Sequence, residues 1–324
     1  MSEKILEIKN LKKYFPVKAG AFRKPLQLKA VDDISFDMMK GETVGLVGES
    51  GCGKSTLGRT IVRLYEPTDG QIFFKGKEIS RLKRSQLKPL KKEMQIIFQD
   101  PYSSLNPRMN VNSIVGEALL AHNLVKKGAE YEERVAQIVE TCGLARYHIN
   151  RYPHQFSGGQ RQRIGIARAL ALNPDFVVAD EPVSALDVSI QSQILNLMNR
   201  LKHEMGLSYL FISHDLSVVK YISDKIGVMY LGSMIEMAQK EDLYRTPLHP
   251  YTRALIAAIP EADPKKVKNM EAIKGEIPSN VNVPTGCKFH TRCPHVKDIC
   301  MEQVPEFREI QKNHRVACHF AGEI

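Results

Sequence analysis

The sequence predicts an α/β protein with a mixed, largely parallel sheet as its core, an antiparallel β edge, an inserted α-helical subdomain and a small C-terminal cysteine-containing extension. Three observations predict this class. A glycine-rich loop separates a short apolar run from a helical pattern. Later apolar runs end in polar or acidic residues, as buried strands of a parallel sheet do. Between residues 106 and 154 the strand signals give way to helical periodicity, which indicates an insertion.

The N-terminal stretch predicts two strands with a loop between them. Residues 5–11 alternate in part between apolar and polar side chains, which is typical of a half-buried edge strand, and residues 28–38 predict a second strand. Tyr14 and Phe15 precede a flexible, basic loop that runs to about residue 26. An aromatic ring at this place either stacks on an adenine or packs at the end of the strand, and the sequence leaves both interpretations open.

The glycine-rich loop follows an apolar run at residues 43–47 and fits the pattern G-x-x-x-x-G-K-[ST]. The predicted phosphate-binding residues are Gly48, Glu49, Ser50, Gly51, Cys52, Gly53, Lys54, Ser55 and Thr56. Glycines let backbone N–H groups and the positive end of the next helix converge on a β-phosphate. Lys54 adds a full charge there, and the Ser55 hydroxyl is the predicted Mg²⁺ ligand. The flanking strand and helix disfavour the alternative, a glycine-rich turn with a chance lysine.

Short β elements follow the helix of this loop. Residues 71–79 predict a hairpin with Lys75 and Gly76 at its tip. A basic helical piece then leads to a buried strand at residues 94–98, which Gln99 ends.

The inserted subdomain carries helical segments at residues 111–120 and 131–142. It closes at a polar, glycine-bearing turn made of Ser157, Gly158, Gly159 and Gln160. An apolar-periodic helix follows at residues 164–172. Ser157 is placed as an N-cap, and the two glycines expose the helix N-terminus so that an anion can approach its amides. An ordinary capped helix start is the alternative.

The second half of the sheet ends in candidate catalytic groups. Residues 176–179 form a continuous apolar run that ends in Asp180 and Glu181. The carboxyl end of a central strand lies at the edge where open α/β sheets bind ligands. Asp180 is therefore predicted to hold the Mg²⁺ shell, and Glu181 to polarise a water that attacks the γ-phosphate. A surface pair of acidic residues is the alternative.

A long amphipathic helix is predicted from Ser184 to about Glu204, followed by a strand at residues 207–213. His214 stands at the end of that strand. A lone histidine is usually a surface or packed residue, but at this edge a γ-phosphate sensor explains it better. The remaining predicted elements are strands at residues 226–231 and 233–236 and a helix near residues 241–244.

The cysteines divide into two groups. Cys52 and Cys142 stand alone, whereas the tail holds Cys287, Cys293, Cys300 and Cys318. In a reducing compartment such a group indicates metal before disulfide. The four thiolates are candidate ligands of a [4Fe–4S] cluster or of zinc, although their spacing matches neither the ferredoxin run nor a C-x₂-C zinc knuckle. A cluster would cross-link and stabilise a tail that is too short to form a hydrophobic core of its own.

Composition narrows the class of protein. The 324 residues, 43% of them hydrophobic, suffice for a large domain and a smaller one. The formal net charge of +10 suits nucleic acid, an anionic membrane surface or a solvated face. Because the basic clusters are not interleaved with aromatic residues, we expect no nucleic acid and favour a membrane surface. No apolar run approaches the roughly 18 residues of a membrane span and no secretory signal opens the chain, so we expect it in the cytosol as made.

The order of these motifs resembles the ATPase subunit of ATP-binding cassette (ABC) proteins over roughly residues 5 to 240. The resemblance implies a P-loop ABC ATPase in which two subunits sandwich two ATP molecules. It implies that Phe15 or its neighbour Tyr14 stacks on adenine. It also implies that Gln99 contacts Mg²⁺ and communicates the state of the ATP site to a transporter. Glu181 would be the general base, and His214 would be the switch residue that responds to the γ-phosphate. Ser157, Gly158, Gly159 and Gln160 would serve the ATP of the partner subunit.

The tail resembles the C-terminal extension of dipeptide and oligopeptide importer ATPases. The resemblance rests on residues 249–252, on Pro278 and Pro284, and on residues 286–294. Members of that group can carry an iron–sulfur cluster at such cysteines, which favours [4Fe–4S] over zinc and leaves free thiols as a third possibility. Nickel importers belong to the same group, and a soluble ABC ATPase that binds no transporter is a further alternative.

The resemblance also implies partners and a division of the chain. The partners are a second ATPase subunit, identical or related, two membrane permease subunits, and indirectly an external peptide-binding protein. Residues 1–105 and 156–245 would form the ATPase core, residues 106–155 the helical insert and residues 246–324 the extension. The insert and the region of Gln99 would bind the permeases at the cytoplasmic face of the membrane. ATP binding would close the pair of ATPases and hydrolysis would reopen it.

Overall fold

A computed structural model describes residues 3–17, 26–259 and 275–323 of the chain. The predicted basic loop ahead of residue 26 lies outside these ranges. The chain divides into two compact units. The first takes its described residues from Met1–Ile5, Met39–Glu42 and Arg81–Ile212, and the second takes them from Leu6–Met38, Thr43–Ser80 and Ser213–Ile324.

The strands of the described chain are β1 (Lys4–Val17), β2 (Leu26–Met39), β3 (Thr43–Val47), β4 (Asp69–Phe74), β5 (Lys77–Glu78), β6 (Met94–Ile97), β7 (Phe176–Asp180), β8 (Ser208–Ile212), β9 (Lys225–Tyr230), β10 (Ser233–Gln239), β11 (Arg308–Gln311) and β12 (His314–Val316).

The α-helices are α1 (Lys54–Ile61), α2 (Arg84–Leu87), α3 (Pro101–Ser104), α4 (Val111–Ala121), α5 (Ala129–Thr141), α6 (Gly158–Leu170), α7 (Val188–Met205), α8 (Leu216–Ile222), α9 (Lys240–Arg245), α10 (Pro250–Ala257) and α11 (Asp298–Glu302). Short 3-10 turns lie at Leu90–Lys92, Arg146–Asn150, Pro153–Gln155 and His290–Arg292. Within residues 3–17, 26–259 and 275–323, no helix combines the length and the apolarity that crossing a membrane requires.

Two sheets lie in the second unit. One has the strand order β2-β1-β4-β5, and the other contains β11-β12-β10-β9-β3. In the latter sheet β3 runs parallel to β9, with Leu46 opposite Gly227, while β9, β10, β12 and β11 pair antiparallel. All five residues of β3 are buried, as a strand covered on both faces requires. The predicted mixed sheet is confirmed.

The N-terminal strand differs from its prediction. The sequence predicts an edge strand at residues 5–11, but β1 lies between β2 and β4 in the sheet. The prediction is wrong because alternation reports only which face of a strand is buried, not whether its edges are paired. The hairpin prediction is confirmed: β4 and β5 pair antiparallel around Lys75 and Gly76, whose φ angles are 48° and 75°.

The first unit contains the parallel strands β8, β7 and β6. Val178 of β7 lies opposite Ile96 on one side and Leu210 on the other. Every residue of β7 is buried, so the apolar run at residues 176–179 is confirmed as a central strand. The helical segments of the insert are confirmed as α4 and α5, and α4 packs against α5 and α6.

Two helices begin where a cap places them rather than where the apolar pattern begins. Helix α6 starts at Gly158, six residues before the apolar-periodic segment at residues 164–172, and the predicted N-cap at Ser157 is confirmed. Helix α7 starts at Val188 rather than Ser184, because the carboxylate of Asp187 accepts the backbone N–H of Ile190. In both helices the capping side chain satisfies amides that the helix itself cannot, and this fixes the boundary.

Candidate functional site

The phosphate loop joins β3 to α1 in the second unit. Gly48 and Gly53 have φ angles of 149° and 104°, which L side chains rarely adopt. A Cβ on Gly48 would collide with the carbonyl oxygen of Met229, and one on Gly53 would collide with that of Ala30. Backbone from two neighbouring strands therefore packs directly against the loop. Glycine is required at both positions for conformation and for space.

Lys54 lies at the first position of α1 and is only 4% exposed. Its Nζ donates to the carbonyl oxygens of Gly48 at 2.7 Å and Glu49 at 3.1 Å. The loop thus wraps around the ammonium group, which brings a full positive charge to the N-terminus of the helix. Ser55 and Thr56 follow in the first turn of α1. This arrangement is suited to binding a phosphate.

The segment of His214 is tied to the strand that leads into the phosphate loop. The backbone N–H of Ser213 donates to the carbonyl oxygen of Leu46 in β3 at 3.1 Å. On the other side of His214, the carboxylate of Asp215 accepts the N–H of Ser217 at 2.7 Å and caps α8. The imidazole of His214 is exposed between these two anchors. His214 is thereby held beside the entrance to the loop within the second unit.

Tyr14 and Phe15 make different contacts. The hydroxyl of Tyr14 donates to Oδ1 of Asp32 at 2.5 Å, and burial followed by this hydrogen bond raises the pKa of Tyr14. The backbone of Asp32 in turn donates to Gly232, whose own N–H donates to Cys52 in the phosphate loop. Tyr14 is therefore connected to the loop through a chain of hydrogen bonds.

Phe15 instead packs edge-on against the ring of Tyr65, with centroids 5.6 Å apart. The ammonium group of Lys13 lies 4.8 Å from the Phe15 centroid. The two neighbouring aromatics thus occupy different surroundings, which the sequence could not distinguish.

The first unit brings together Gln99, Asp180 and Glu181. Asp180 ends β7 and is completely buried, and Nε2 of Gln99 donates to Oε2 of Glu181 at 2.9 Å. Glu181 has a φ of 46°, and its N–H donates to the carbonyl oxygen of Ile212 at 3.0 Å. A left-handed backbone at a residue other than glycine costs about 1–3 kcal/mol and is concentrated at functional sites. Sequence reasoning missed the direct bond between Gln99 and Glu181, although both residues follow adjacent parallel strands.

The turn before α6 is a capping box in this structure. The Ser157 hydroxyl accepts the N–H of Gln160 at 3.3 Å, and Oε1 of Gln160 accepts the N–H of Ser157 at 3.1 Å. A Cβ on Gly159 would collide with Cγ2 of Ile190, whereas Gly158 has only Leu186 at 3.4 Å and Tyr102 at 3.9 Å nearby. The capped helix start is therefore present, and the role of this turn toward an anion stays a prediction.

The four cysteines of the extension line one cavity in the second unit, together with His249, Phe289 and His290. The backbone N–H of Cys287 donates to the carbonyl oxygen of Cys300 at 2.8 Å. Burial raises the pKa of the Cys287 thiol to about 12 and also raises the pKa values of the Cys293 and Cys318 thiols. Among the residues that the structure describes, no three His, Cys, Asp or Glu side chains are grouped so as to hold a metal ion. The described residues therefore show no metal site at these cysteines, and the metal there stays a prediction.

Residues of the extension that the sequence did not single out contact the phosphate loop. The guanidinium group of Arg292 forms two hydrogen bonds with the carboxylate of Glu49, and the side-chain amide of Asn280 donates to Gly51. Arg292 and Glu49 are 243 positions apart in the sequence, so no local pattern indicates that they meet.

Comparison with protein families matches two parts of the chain. The model described as ABC transporter matches residues 31–184. The model described as the C-terminal region of oligopeptide/dipeptide transporters matches residues 235–300.

Curated relatives match nearly the whole chain. The oligopeptide transport ATP-binding protein AppF of Bacillus subtilis is 56% identical over 321 residues, which are 98% of this chain and 97% of that protein. The oligopeptide transport ATP-binding protein OppF of the same organism is 53% identical over 319 residues, again 98% and 97%. A putative peptide import ATP-binding protein of Brucella ovis is 50% identical over 314 residues, 97% of each chain.

Solved structures resemble the fold. A dimeric ATP-binding cassette in a post-hydrolysis state, bound to ADP and Pi, has a TM-score of 0.64 and 27% identity, covering 72% of this chain and 98% of that one. A component of an ABC transporter complex from Clostridium perfringens has a TM-score of 0.64 and 26% identity, covering 75% and 91%.

Proposed function

We propose a function from the premise that this chain belongs to the ABC transporter family, among the ATP-binding proteins of oligopeptide transport. The chain hydrolyses ATP and thereby drives the import of dipeptides or oligopeptides across the cytoplasmic membrane. The single observation that carries this proposal is the identity of 56% over 98% of the chain with an oligopeptide transport ATP-binding protein. The match of residues 235–300 to the C-terminal region of peptide transporters favours peptides over a nickel chelate and over a soluble ABC ATPase.

The roles of the individual residues follow from chemistry and motif. Lys54 and the amides of the phosphate loop bind the nucleotide phosphates. The Ser55 hydroxyl, the Asp180 carboxylate and the Gln99 side-chain carbonyl are oxygen donors of the kind that Mg²⁺ takes, and bound Mg²⁺ would neutralise phosphate charge. Glu181 orients and deprotonates the attacking water, and its hydrogen bond with Gln99 holds the carboxylate in place. His214 senses the γ-phosphate.

For stacking on the adenine ring of ATP we favour Tyr14 over Phe15. Tyr14 is connected to the phosphate loop through Asp32 and Gly232, whereas the ring of Phe15 already packs against Tyr65. The four residues of the α6 turn, Ser157 to Gln160, would act on the nucleotide of a second ATPase subunit. Similarity to cassettes solved as dimers supports such a pairing.

The proposed location is the cytoplasmic face of the membrane, where two permease subunits bind the chain. We propose that residues 106–155 form the insert that contacts the permeases and residues 246–324 the extension. The division of the core into residues 1–105 and 156–245 is likewise part of the proposal. An external peptide-binding protein would supply the cargo.

Transport by whole cells tests this function. In cells that lack the chain, uptake of a labelled dipeptide and of a labelled pentapeptide should fall, and the wild-type chain should restore at least one of them. Glu181→Gln should not restore uptake, because it should bind ATP but lose about 1,000-fold in steady-state hydrolysis in the assembled transporter. Normal turnover of that variant would remove Glu181 from its role. Loss of nickel uptake with intact peptide uptake would overturn the peptide substrate.

For the cysteines we propose that Cys287, Cys293, Cys300 and Cys318 hold a [4Fe–4S] cluster. The support is that all four line one cavity. Four thiolates are the ligand set that a [4Fe–4S] cluster takes. The test is anaerobic purification followed by metal analysis and a visible spectrum, with Cys300→Ser as the variant and Cys142→Ser as the matched control. About four irons per chain, lost only in Cys300→Ser, would support the cluster; zinc or no metal would overturn it.

A further inference from the structure

The C-terminal extension holds the phosphate loop at three points within the second unit. Nη1 and Nη2 of Arg292 lie 2.8 and 3.0 Å from the two carboxylate oxygens of Glu49. Nδ2 of Asn280 donates to the carbonyl oxygen of Gly51 at 2.9 Å. The backbone N–H of Glu49 donates to the hydroxyl of Tyr251 at 2.9 Å. Side chains of the extension thus fix both the backbone and the one acidic side chain of the loop.

The ion pair differs from a surface pair in geometry and burial. It is bidentate, the arrangement that gives guanidinium and carboxylate both strength and direction. The side chain of Arg292 is 6% exposed and that of Glu49 is 23% exposed. By contrast, Arg245 and Asp242 pair with side chains that are 76% and 37% exposed. Water screens the pair at the phosphate loop much less.

Arg292 is itself held in place by its neighbours. It ends the 3-10 turn at His290–Arg292, and Phe289, directly before that turn, is 2% exposed. The ring of Phe289 packs edge-on against Tyr230 and Tyr251, with centroids 5.3 and 5.4 Å away. Because the turn is anchored in the core, the guanidinium group is oriented before any nucleotide binds.

The chemistry of the ligand explains why such a contact matters. Glu49 lies inside the loop that receives the polyphosphate of ATP, and an uncompensated carboxylate there would repel it. We propose that Arg292 is a positioning residue for this loop: it neutralises Glu49 and holds its carboxylate, so that ATP affinity depends on the segment from Cys287 to Cys293. This inference rests on the proposed function, since it concerns the affinity for ATP.

The experiment is an equilibrium titration of the full chain with a fluorescent, non-hydrolysable ATP analogue. Arg292→Gln should weaken binding about tenfold, because it leaves a partly buried carboxylate unpaired. The double variant Glu49→Gln/Arg292→Gln should bind more tightly than Arg292→Gln alone, because the repelling charge has gone. Arg308→Gln, an exposed arginine on β11 of the same extension, is the matched control and should bind like the wild type.

Several results would overturn the inference. One is equal affinity of Arg292→Gln and wild type with overlapping melting curves. Another is a double variant no better than Arg292→Gln, since that would make Arg292 only a support of the fold. If Arg292→Gln does not fold, Arg292→Lys replaces it and should weaken binding about threefold, because an ammonium group cannot make the bidentate contact. Failure of the wild type to bind the analogue would instead overturn the ATPase function itself.

Discussion

Helices α1 and α6 both begin at a glycine-bearing turn, yet their first turns are completed in different ways. Before α1, Gly53 is the N-cap in a left-handed conformation and no side chain caps the helix. Before α6, the hydroxyl of Ser157 accepts the N–H of Gln160, and Oε1 of Gln160 accepts the N–H of Ser157. The start of α1 thus has no capping side chain, and Lys54 places a buried ammonium group beside it. The start of α6 is satisfied by its own residues.

Under the proposed function, this difference separates a permanent anion site from a conditional one. An anion that reaches the start of α1 meets a buried ammonium group and glycines that leave room for it. An anion that reaches the start of α6 must compete with the serine for its amide. Binding at α6 thus needs an additional source of free energy, which a second subunit carrying its own nucleotide would supply.

A large loss of ATP affinity is expected when the positive charge at the start of α1 is removed. Lys54→Met should weaken ATP binding about 100-fold, because it removes the buried ammonium group that is proposed to contact the nucleotide phosphates. Equilibrium titration of the full chain measures the change, with Lys77→Met, an exposed lysine on the β4–β5 hairpin, as the control. If Lys54→Met bound ATP as the wild type does, the two helix starts would not differ in the way described.

The start of α10 extends the comparison, because its capping side chain, His249, is titratable. Nδ1 of His249 accepts the N–H of Tyr251 at 3.0 Å and caps α10, which requires a neutral ring on that side. Burial lowers the pKa of His249 from 6.5 to about 4. Below pH 6.5 His249 binds a proton in the unfolded chain but not in the folded chain. The unfolding free energy therefore falls as the pH drops toward about 4 and then levels off.

The expected loss over that pH range is about 3 kcal/mol of unfolding free energy. Chemical denaturation between pH 7.5 and 4.5 measures it, since folded and unfolded chains then differ in bound protons. His249→Asn supplies a cap that does not titrate and should flatten the slope. An unchanged slope in that variant would assign the acid sensitivity to groups other than His249.

The two glycines of the α6 turn provide a matched pair of smaller effect. Gly159→Ala should destabilise the fold by about 1–3 kcal/mol, because its Cβ would collide with Ile190 in a packed region. Gly158→Ala should stay within about 0.5 kcal/mol, since its nearest neighbours are at ordinary contact distances. Thermal melting of both variants is the measurement. Equal melting temperatures of the two variants would show that the turn accommodates a Cβ at either position.

These contrasts show what the sequence could predict. A continuous apolar run predicted β7, whose residues are all buried, and periodicity predicted α4 and α5, since burial of one face leaves a pattern along a helix. The spacing of the phosphate-loop glycines predicted their conformation, because few residues adopt such φ angles. The cap of α6 at Ser157 was predicted, but the start of α7 was misplaced at Ser184, because the capping side chain of Asp187 sets that boundary.

Long-range contacts left no such pattern. The pairing of Glu49 with Arg292 joins residues 243 positions apart, and the hydrogen bond that gives Tyr14 different surroundings from Phe15 comes from Asp32 in another strand. Both are set by the tertiary fold, which brings together residues that have no periodic relation. The bond between Gln99 and Glu181 is intermediate, because parallel neighbouring strands place both residues at one edge but do not specify their rotamers.

The smallest expected effect tests the cap of α6 directly. Ser157→Ala removes the acceptor for the N–H of Gln160 and should lower the unfolding free energy by about 1 kcal/mol. Ser157→Asn keeps an acceptor at the same place and should stay close to the wild type in urea denaturation. If Ser157→Ala cost nothing, the serine would not complete the first turn of α6. That helix start would then be as open as that of α1, and an anion would need no partner subunit to bind there.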